Sequence, residues 1–171
     1  MSCQLRMFRL RQRFPRPRLE DVPGQVHREL EKLQLHRRVQ PGQQVAITAG
    51  SRGIANIVPI LRAVVDHLKG LQLRPFIVPA MGSHGGGTAD GQREVLATYG
   101  ITEEAMGCPI RATMETVVLC HTPEGIPVHF DRYAHGADHV VVVGRVKPHT
   151  DFVGEIESGL MKMMLIGLGK H

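Results

Sequence analysis

Three short apolar runs, each opening into a polar loop with glycine, organise this chain. Residues 45–49 (Val-Ala-Ile-Thr-Ala), 75–80 (Pro-Phe-Ile-Val-Pro-Ala) and 140–143 (four valines) are short for helices and too uniformly apolar for strands with one wet face. They predict strands buried on both faces, as in a parallel sheet. Between the first two, Ile54, Ile57, Val58, Leu61, Val64, Val65 and Leu68 fall at i, i+3, i+4 spacing and predict the strongest helix, with Gly70 just past its end. A second helix is expected after Thr88 or Asp90, either of which could cap it, with Val95, Leu96 and Tyr99 facing inward. Upstream, Asp21 as N-cap, Pro23 in the first turn and Val26, Leu30 and Leu33 at helical spacing predict a helix stopping before Pro41-Gly42. Residues 115–121 and 126–130, joined by Thr122-Pro123-Glu124-Gly125, predict a hairpin, with Pro127 marking an edge. Residues 131–137 predict a short helix, and Leu5, Met7 and Leu10 could pair as a further edge strand. Strands and helices alternate through most of the chain. The expected fold is an α/β sandwich with a mainly parallel sheet and a β-hairpin.

Charge divides what hydropathy leaves continuous. Residues 1–38 hold ten Lys and Arg against four Asp and Glu, a net of +6, while the remainder has eleven against twelve. The chain therefore reads as a basic N-terminal arm with a first helix, residues 1–40, followed by one α/β domain, residues 41–171. The arm could meet an acidic surface, but no aromatic or glycine-rich RNA-binding motif accompanies it, which argues against nucleic acid. The start lacks the apolar core of a signal peptide, and no run approaches the ~20 apolar residues of a membrane span. Cys3, Cys108 and Cys120 are widely spaced and match neither a disulfide framework nor a zinc pattern. The cytoplasm is the expected compartment.

Candidate chemistry collects at the strand exits, where open α/β sheets build their sites. The first exit carries Ser51-Arg52 between Gly50 and Gly53, ahead of a helix N-terminus. That arrangement suits an anion, and it equally suits a tight turn with a solvated arginine. The second exit sets His84 among Gly82, Gly85, Gly86 and Gly87, which is costly to order unless the backbone must approach a ligand closely or the loop must move. The third follows the valine run: Pro148 restricts Lys147 to extended or turn conformations and delivers His149, and Ser158-Gly159-Leu160-Met161-Lys162 comes shortly after. His121 and His129 read as surface residues across the hairpin, since no third ligand lies at useful spacing.

Together the Ser51-Arg52 loop, the Gly82-Ser83-His84 loop and the Pro148-His149 … Ser158-Gly159-Leu160-Met161-Lys162 segment resemble the N-terminal domain of the nickel-pincer lactate racemase family, over residues 44–171. The resemblance implies the N-terminal domain of a two-domain protein with the active site between its domains. It further implies racemisation or epimerisation of a small 2-hydroxy acid with a nickel pyridinium bis-thio mononucleotide, the nickel-pincer nucleotide, held by a thioamide bond to lysine. Carried over, Lys162 is the attachment residue with Ser158 and Gly159 beside the cofactor, and His84 and His149 are paired acid/bases. Arg52 with Ser51 would bind the substrate carboxylate, and the role of nickel ligand would fall to His171. Such a reaction needs hydride taken from carbon and a proton from the hydroxyl. Imidazoles suit the proton step because their ordinary pKa lies near 6.5.

Two departures qualify the likeness. Ala49 stands three positions before Arg52, where the racemases usually carry an aspartate, and Asp151, Glu155 and Glu157 make the loop before Lys162 longer and more acidic. The alternative is a non-catalytic domain that binds an anion or a nucleotide phosphate through the same loops. The end of the chain, residues 160–171, is apolar, which leads us to expect a C-terminal domain beyond it and leaves a homo-oligomer open.

Overall fold

The computed structural model describes residues 7–15, 17–149, 151 and 153–170. In chain order the elements are α1 (Val22–Lys32), β1 (Gln44–Ala49), α2 (Ile57–Gly70), β2 (Arg74–Pro79), α3 (Ala89–Thr98), α4 (Glu103–Met106), β3 (Thr116–His121), β4 (Pro127–Asp131), α5 (Arg132–His135), β5 (His139–Val141) and α6 (Leu160–Lys162). The helix α6 continues directly into a π-helical stretch, Met163–Leu168.

The three apolar runs form one parallel sheet in the order β2-β1-β5. Val45 lies opposite both Pro75 and His139, which fixes the register on each side of the central strand. Successive side chains of β1 enter opposite layers, as a strand's two-residue period requires. Val45, Ile47 and Ala49 join Leu61, Val64, Val65, Leu68 and Leu96 of α2 and α3 in one core. Ala46, with Phe76 and Val78 of β2, meets Ala134 of α5, Phe130 of β4 and Leu168 of the π-helical stretch in the other. Fully burying a side chain such as Leu61 or Leu68 contributes about 1.5–3 kcal/mol, so the two layers together hold the sheet. The sandwich expected from the sequence is the fold observed, with β3 and β4 as a separate antiparallel hairpin.

Local chemistry sets the element ends. Asp21 caps α1 by accepting from Gly24 N–H at 2.8 Å, and Thr88 caps α3 by accepting from Gly91 N–H at 3.0 Å. Several expectations need correction. The stripe beginning at Ile54 becomes helical only at Ile57, because Asn56 sits in the left-handed region (φ 63°). The helix therefore starts five residues after Arg52 rather than directly beyond Gly53. Its far end includes Gly70 rather than stopping before it. The first helix ends at Lys32, leaving Leu33 55 % exposed. Met7 and Leu10 pair with no strand and are exposed, while Leu5 lies outside the described residues. The valine strand is recognised only to Val141, because Val143 is tied to β1 by a side chain instead. Its N–H donates to Thr48 Oγ1 at 2.8 Å, and that hydroxyl donates to Val143 O at 3.2 Å. In the hairpin His129 faces Val118 and His121 faces Pro127, so the two histidines are not opposite one another. A register shift between Val118 and Cys120 lies next to that pairing. The short helix α4 was not foreseen.

Candidate functional site

The carboxyl ends of the three parallel strands converge under the C-terminal helical stretch. Met163, next to Lys162, makes this closure possible. Cβ atoms added to Gly50, at the β1 exit, and Gly144, past β5, would come within 3.0 Å and 3.2 Å of its terminal methyl. At the β2 exit, a Cβ on Gly82 would come within 3.3 Å of Ile166, and one on Gly167 within 2.8 Å of the Ala80 carbonyl. The glycines of the exits thus leave room for the Met163 methyl, and Gly167 lets the closing helix approach the Ala80 backbone more closely than a larger residue would. Lys162 is exposed at the start of this closure, and Gly159 is buried against Val146.

Ser51 and His84, far apart in sequence, are brought into contact because β1 and β2 are neighbours. Ser51 Oγ and His84 Nδ1 lie 2.5 Å apart. A hydroxyl can donate or accept, so this partner supports either neutral tautomer of the ring. Tyr99, at the end of α3, donates its hydroxyl to the Ser51 carbonyl at 2.7 Å and fixes the first loop from behind. Arg52 is exposed beside them. The glycine loop is built against its own helix: a Cβ on Gly85 would lie 2.6 Å from the carbonyl carbon of Gly91. At Gly85 the need for glycine is therefore internal, whereas a Cβ on Gly86 or Gly87 would meet nothing within 4 Å.

His149 is mounted differently. Its Nδ1 accepts from the Asp151 N–H at 3.1 Å, so the neutral ring holds its proton on Nε2. Its own N–H donates to Glu157 Oε2 at 2.8 Å, and Gly154 N–H donates to Oε1 of the same carboxylate at 3.1 Å. The backbone donors of His149 and then Gly154 hold Glu157 below the ordinary carboxylate range. Beside this carboxylate, an open recess of about 420 Å³ is lined by residues that include Lys147, Glu157, Ser158 and Gly159. Ser158 is half-buried there. His171 lies outside the described residues.

Other titratable groups sharpen the picture by elimination. Burial pushes the Cys108 thiol up to about 11, with Lys69 opposing, so it is no nucleophile at neutral pH. Among the described residues no group of three or more His, Cys, Asp or Glu could hold a metal ion, and no helix is long and apolar enough to cross a membrane. The sequence pattern marks Tyr99 only as a core position, with no sign of its hydrogen bond to the Ser51 carbonyl. Glu157 was noted only as extra acidity, though its spacing of eight from His149 is local enough to have suggested a loop clamp.

A family model, the lactate racemase N-terminal domain, matches residues 18–171. The comparison with curated proteins returns no match. The family match takes in α1 and every element after it, including the three strand exits and the helix that closes them. The chain belongs to the lactate racemase N-terminal domain family.

Proposed function

We propose that this chain is the cofactor-bearing part of a racemase or epimerase of 2-hydroxy acids. The observation that carries the reading is the helical stretch bearing Lys162, which lies across the exits of all three parallel strands, where Ser51 and His84 meet. The residues fit a lysine-tethered nucleotide. Lys162 is exposed and directly precedes Met163, whose methyl lies against Gly50 and Gly144, whereas Lys170 has a side-chain exposure of 0 %, so of the two only Lys162 can be modified without unpacking the domain. The nickel-pincer nucleotide, when bound, supplies the hydride acceptor.

The chain's own residues then have separable tasks. Arg52 pairs with the substrate carboxylate. His84 takes or returns the hydroxyl proton at Nε2 while its Nδ1–H donates to Ser51 Oγ throughout, a proton the hydroxyl oxygen can accept. His149 does the same on the other face, but only after Nδ1 has released Asp151 N–H, because accepting a proton at Nε2 requires a proton on Nδ1. Loop 149–157 must therefore shift during the reaction.

The alternative is anion or nucleotide-phosphate binding without turnover. It is favoured by Ala49, which closes β1 where the racemases usually carry an aspartate. The deciding experiment is the intact protein produced together with the cofactor's biosynthetic enzymes. Nickel, a mass increment on Lys162 and interconversion of 2-hydroxy acid enantiomers are expected. Unmodified Lys162 with no turnover would overturn the proposal and leave the binding reading.

A further inference from the structure

We infer that Lys170 is a positioning residue whose buried ammonium couples the helical stretch carrying Lys162 to the glycine loop carrying His84. The inference rests on the proposed reading of those two residues as parts of one site. Its argument begins with an anomaly of sequence, a lysine in an apolar tail. The side chains of Lys170 and Asp131 both have 0 % exposure. The Lys170 backbone is left-handed, with φ 68°, a conformation that favours glycine. A glycine would end the helix without strain, so the lysine is there for its side chain.

That side chain reaches three elements at once. Its Nζ donates to the Pro79 carbonyl at the end of β2 at 2.6 Å and to Gln92 Oε1 of α3 at 3.1 Å. It lies 3.2 Å from Asp131 Oδ2 at the end of β4, an atom with no aligned hydrogen bond of its own. Gln92, also fully buried, passes the link onward: its Nε2 donates to the Gly82 carbonyl at 2.7 Å, two residues before His84. Gly82 N–H in turn donates to Gly167 O at 3.5 Å. The C-terminal stretch and the glycine loop thus share one closed polar circuit.

Burial lowers the pKa of Lys170 while Asp131 raises it, the signature of a charge that is held at a cost and compensated by its partner. A buried ion pair is a poor source of net stability, since a well-packed apolar pair often does as well. Its directional bonds instead fix where the joined segments sit relative to one another. Gln92 lies in register with Val95, Leu96 and Tyr99 on the inward face of α3, so the same face that fixes Ser51 through Tyr99 fixes Gly82 through Gln92.

The test uses K170M, D131N and the double variant K170M/D131N in the intact, cofactor-free protein. Asparagine keeps the cap that Asp131 Oδ1 gives to Ala134 N–H at 2.8 Å. K170M alone should lower Tm, because Asp131 is left buried and unpaired, and the double variant should recover most of that loss. In the double variant, amides of residues 163–168 and of residues 82–87 should both exchange about tenfold faster or more, while those of α2 keep their protection. Wild-type protection in both stretches, or loosening of 163–168 alone, would overturn the coupling. Should K170M fail to fold, Gln92→Leu, which spares the Lys170–Asp131 pair, carries the same expectation for both stretches. The mass of Lys162 in the wild-type protein, produced with the cofactor's biosynthetic enzymes, judges the functional reading separately, so either can fail while the other stands.

Discussion

The exit of β2 and the loop leading away from β5 each carry one of the two candidate histidines, and they are built on opposite principles. His84 follows a strand paired along its length, and its neighbours are tied down by Tyr99 and Gln92. His149 hangs where the described residues between 142 and 158 form no helix or strand, and its contacts include the half-buried Glu157 carboxylate and the Asp151 N–H. The first mounting is preorganised and its ring partner is a hydroxyl that can accept the Nδ1 proton. The second mounting is adjustable, and the Asp151 N–H at its Nδ1 can only donate. A site that must accept a proton at either face of one carbon would then have one fixed base and one that moves into place.

The largest test of this contrast removes each ring. On the proposed function, His84→Ala and His149→Ala should each suppress racemisation by roughly 10²–10⁴-fold in both directions, since every complete turnover needs both bases. Isotope exchange at the substrate carbon should survive in one enantiomer only, and in the opposite enantiomer for the other variant. Equal, modest losses with no enantiomer bias would remove the paired-base assignment.

A smaller effect separates the two scaffolds. Gly91→Ala would drive a Cβ onto the Gly85 carbonyl, a backbone atom that can yield only by moving the glycine loop. It should cost about 1–3 kcal/mol in denaturant unfolding, the scale of overpacking. Glu155→Ala, in the exposed loop of His149, should stay within about 0.5 kcal/mol of wild type. Equal costs at the two positions would mean that the two mountings do not differ in rigidity.

The same contrast explains what could be read from the sequence. Residues 45–49 and 75–80 and the stripe from Ile57 to Leu68 were legible because their burial is dictated by local pattern alone. The Ser51–His84 contact was not, since it depends on β2 lying beside β1, and strand order leaves no local mark. Lys170 meets Pro79 and Gln92 across separations of 91 and 78 residues, and nothing in the pattern around a lone lysine names such partners. Ile54 misled because a helical stripe records which side chains face the core, not where the backbone turns, and Asn56 delays the helix. The three exits were legible as a site only through the residue types they carry. The roles proposed for those residues, as base, anchor and carboxylate binder, come from the family likeness.

Tyr99→Phe probes the fixed mounting more gently. It deletes the hydroxyl that donates to the Ser51 carbonyl and leaves the half-buried ring in place. The expected cost is about 0.5–1.5 kcal/mol, the net worth of one such bond, measured as a shift of the unfolding midpoint at unchanged slope. Backbone amide shifts should change at residues 50–53 and not at 149–157. Changes confined to the second loop would show that Tyr99 does not set the Ser51 loop.

The smallest expected effect lies in the adjustable mounting and is read by pH. Glu157 has its pKa lowered by the N–H groups of His149 and Gly154, so its carboxylate binds them more strongly than its acid does. The stabilisation is fully present above the ordinary carboxylate pKa and is lost as pH falls through the lowered value; neutral pH leaves it intact. In NMR spectra of the intact protein, the amide protons of His149 and Gly154 should therefore titrate together, with a midpoint below the ordinary glutamate value. Glu157→Gln should abolish that titration and raise amide exchange in loop 149–157 at neutral pH, because one of the two acceptor oxygens becomes a donor. Amides of residues 50–53 should be indifferent to both changes. If instead the His149 and Gly154 amides titrate at an ordinary carboxylate value, or persist unchanged in Glu157→Gln, the carboxylate does not hold this loop and the contrast between the two histidines loses its physical basis.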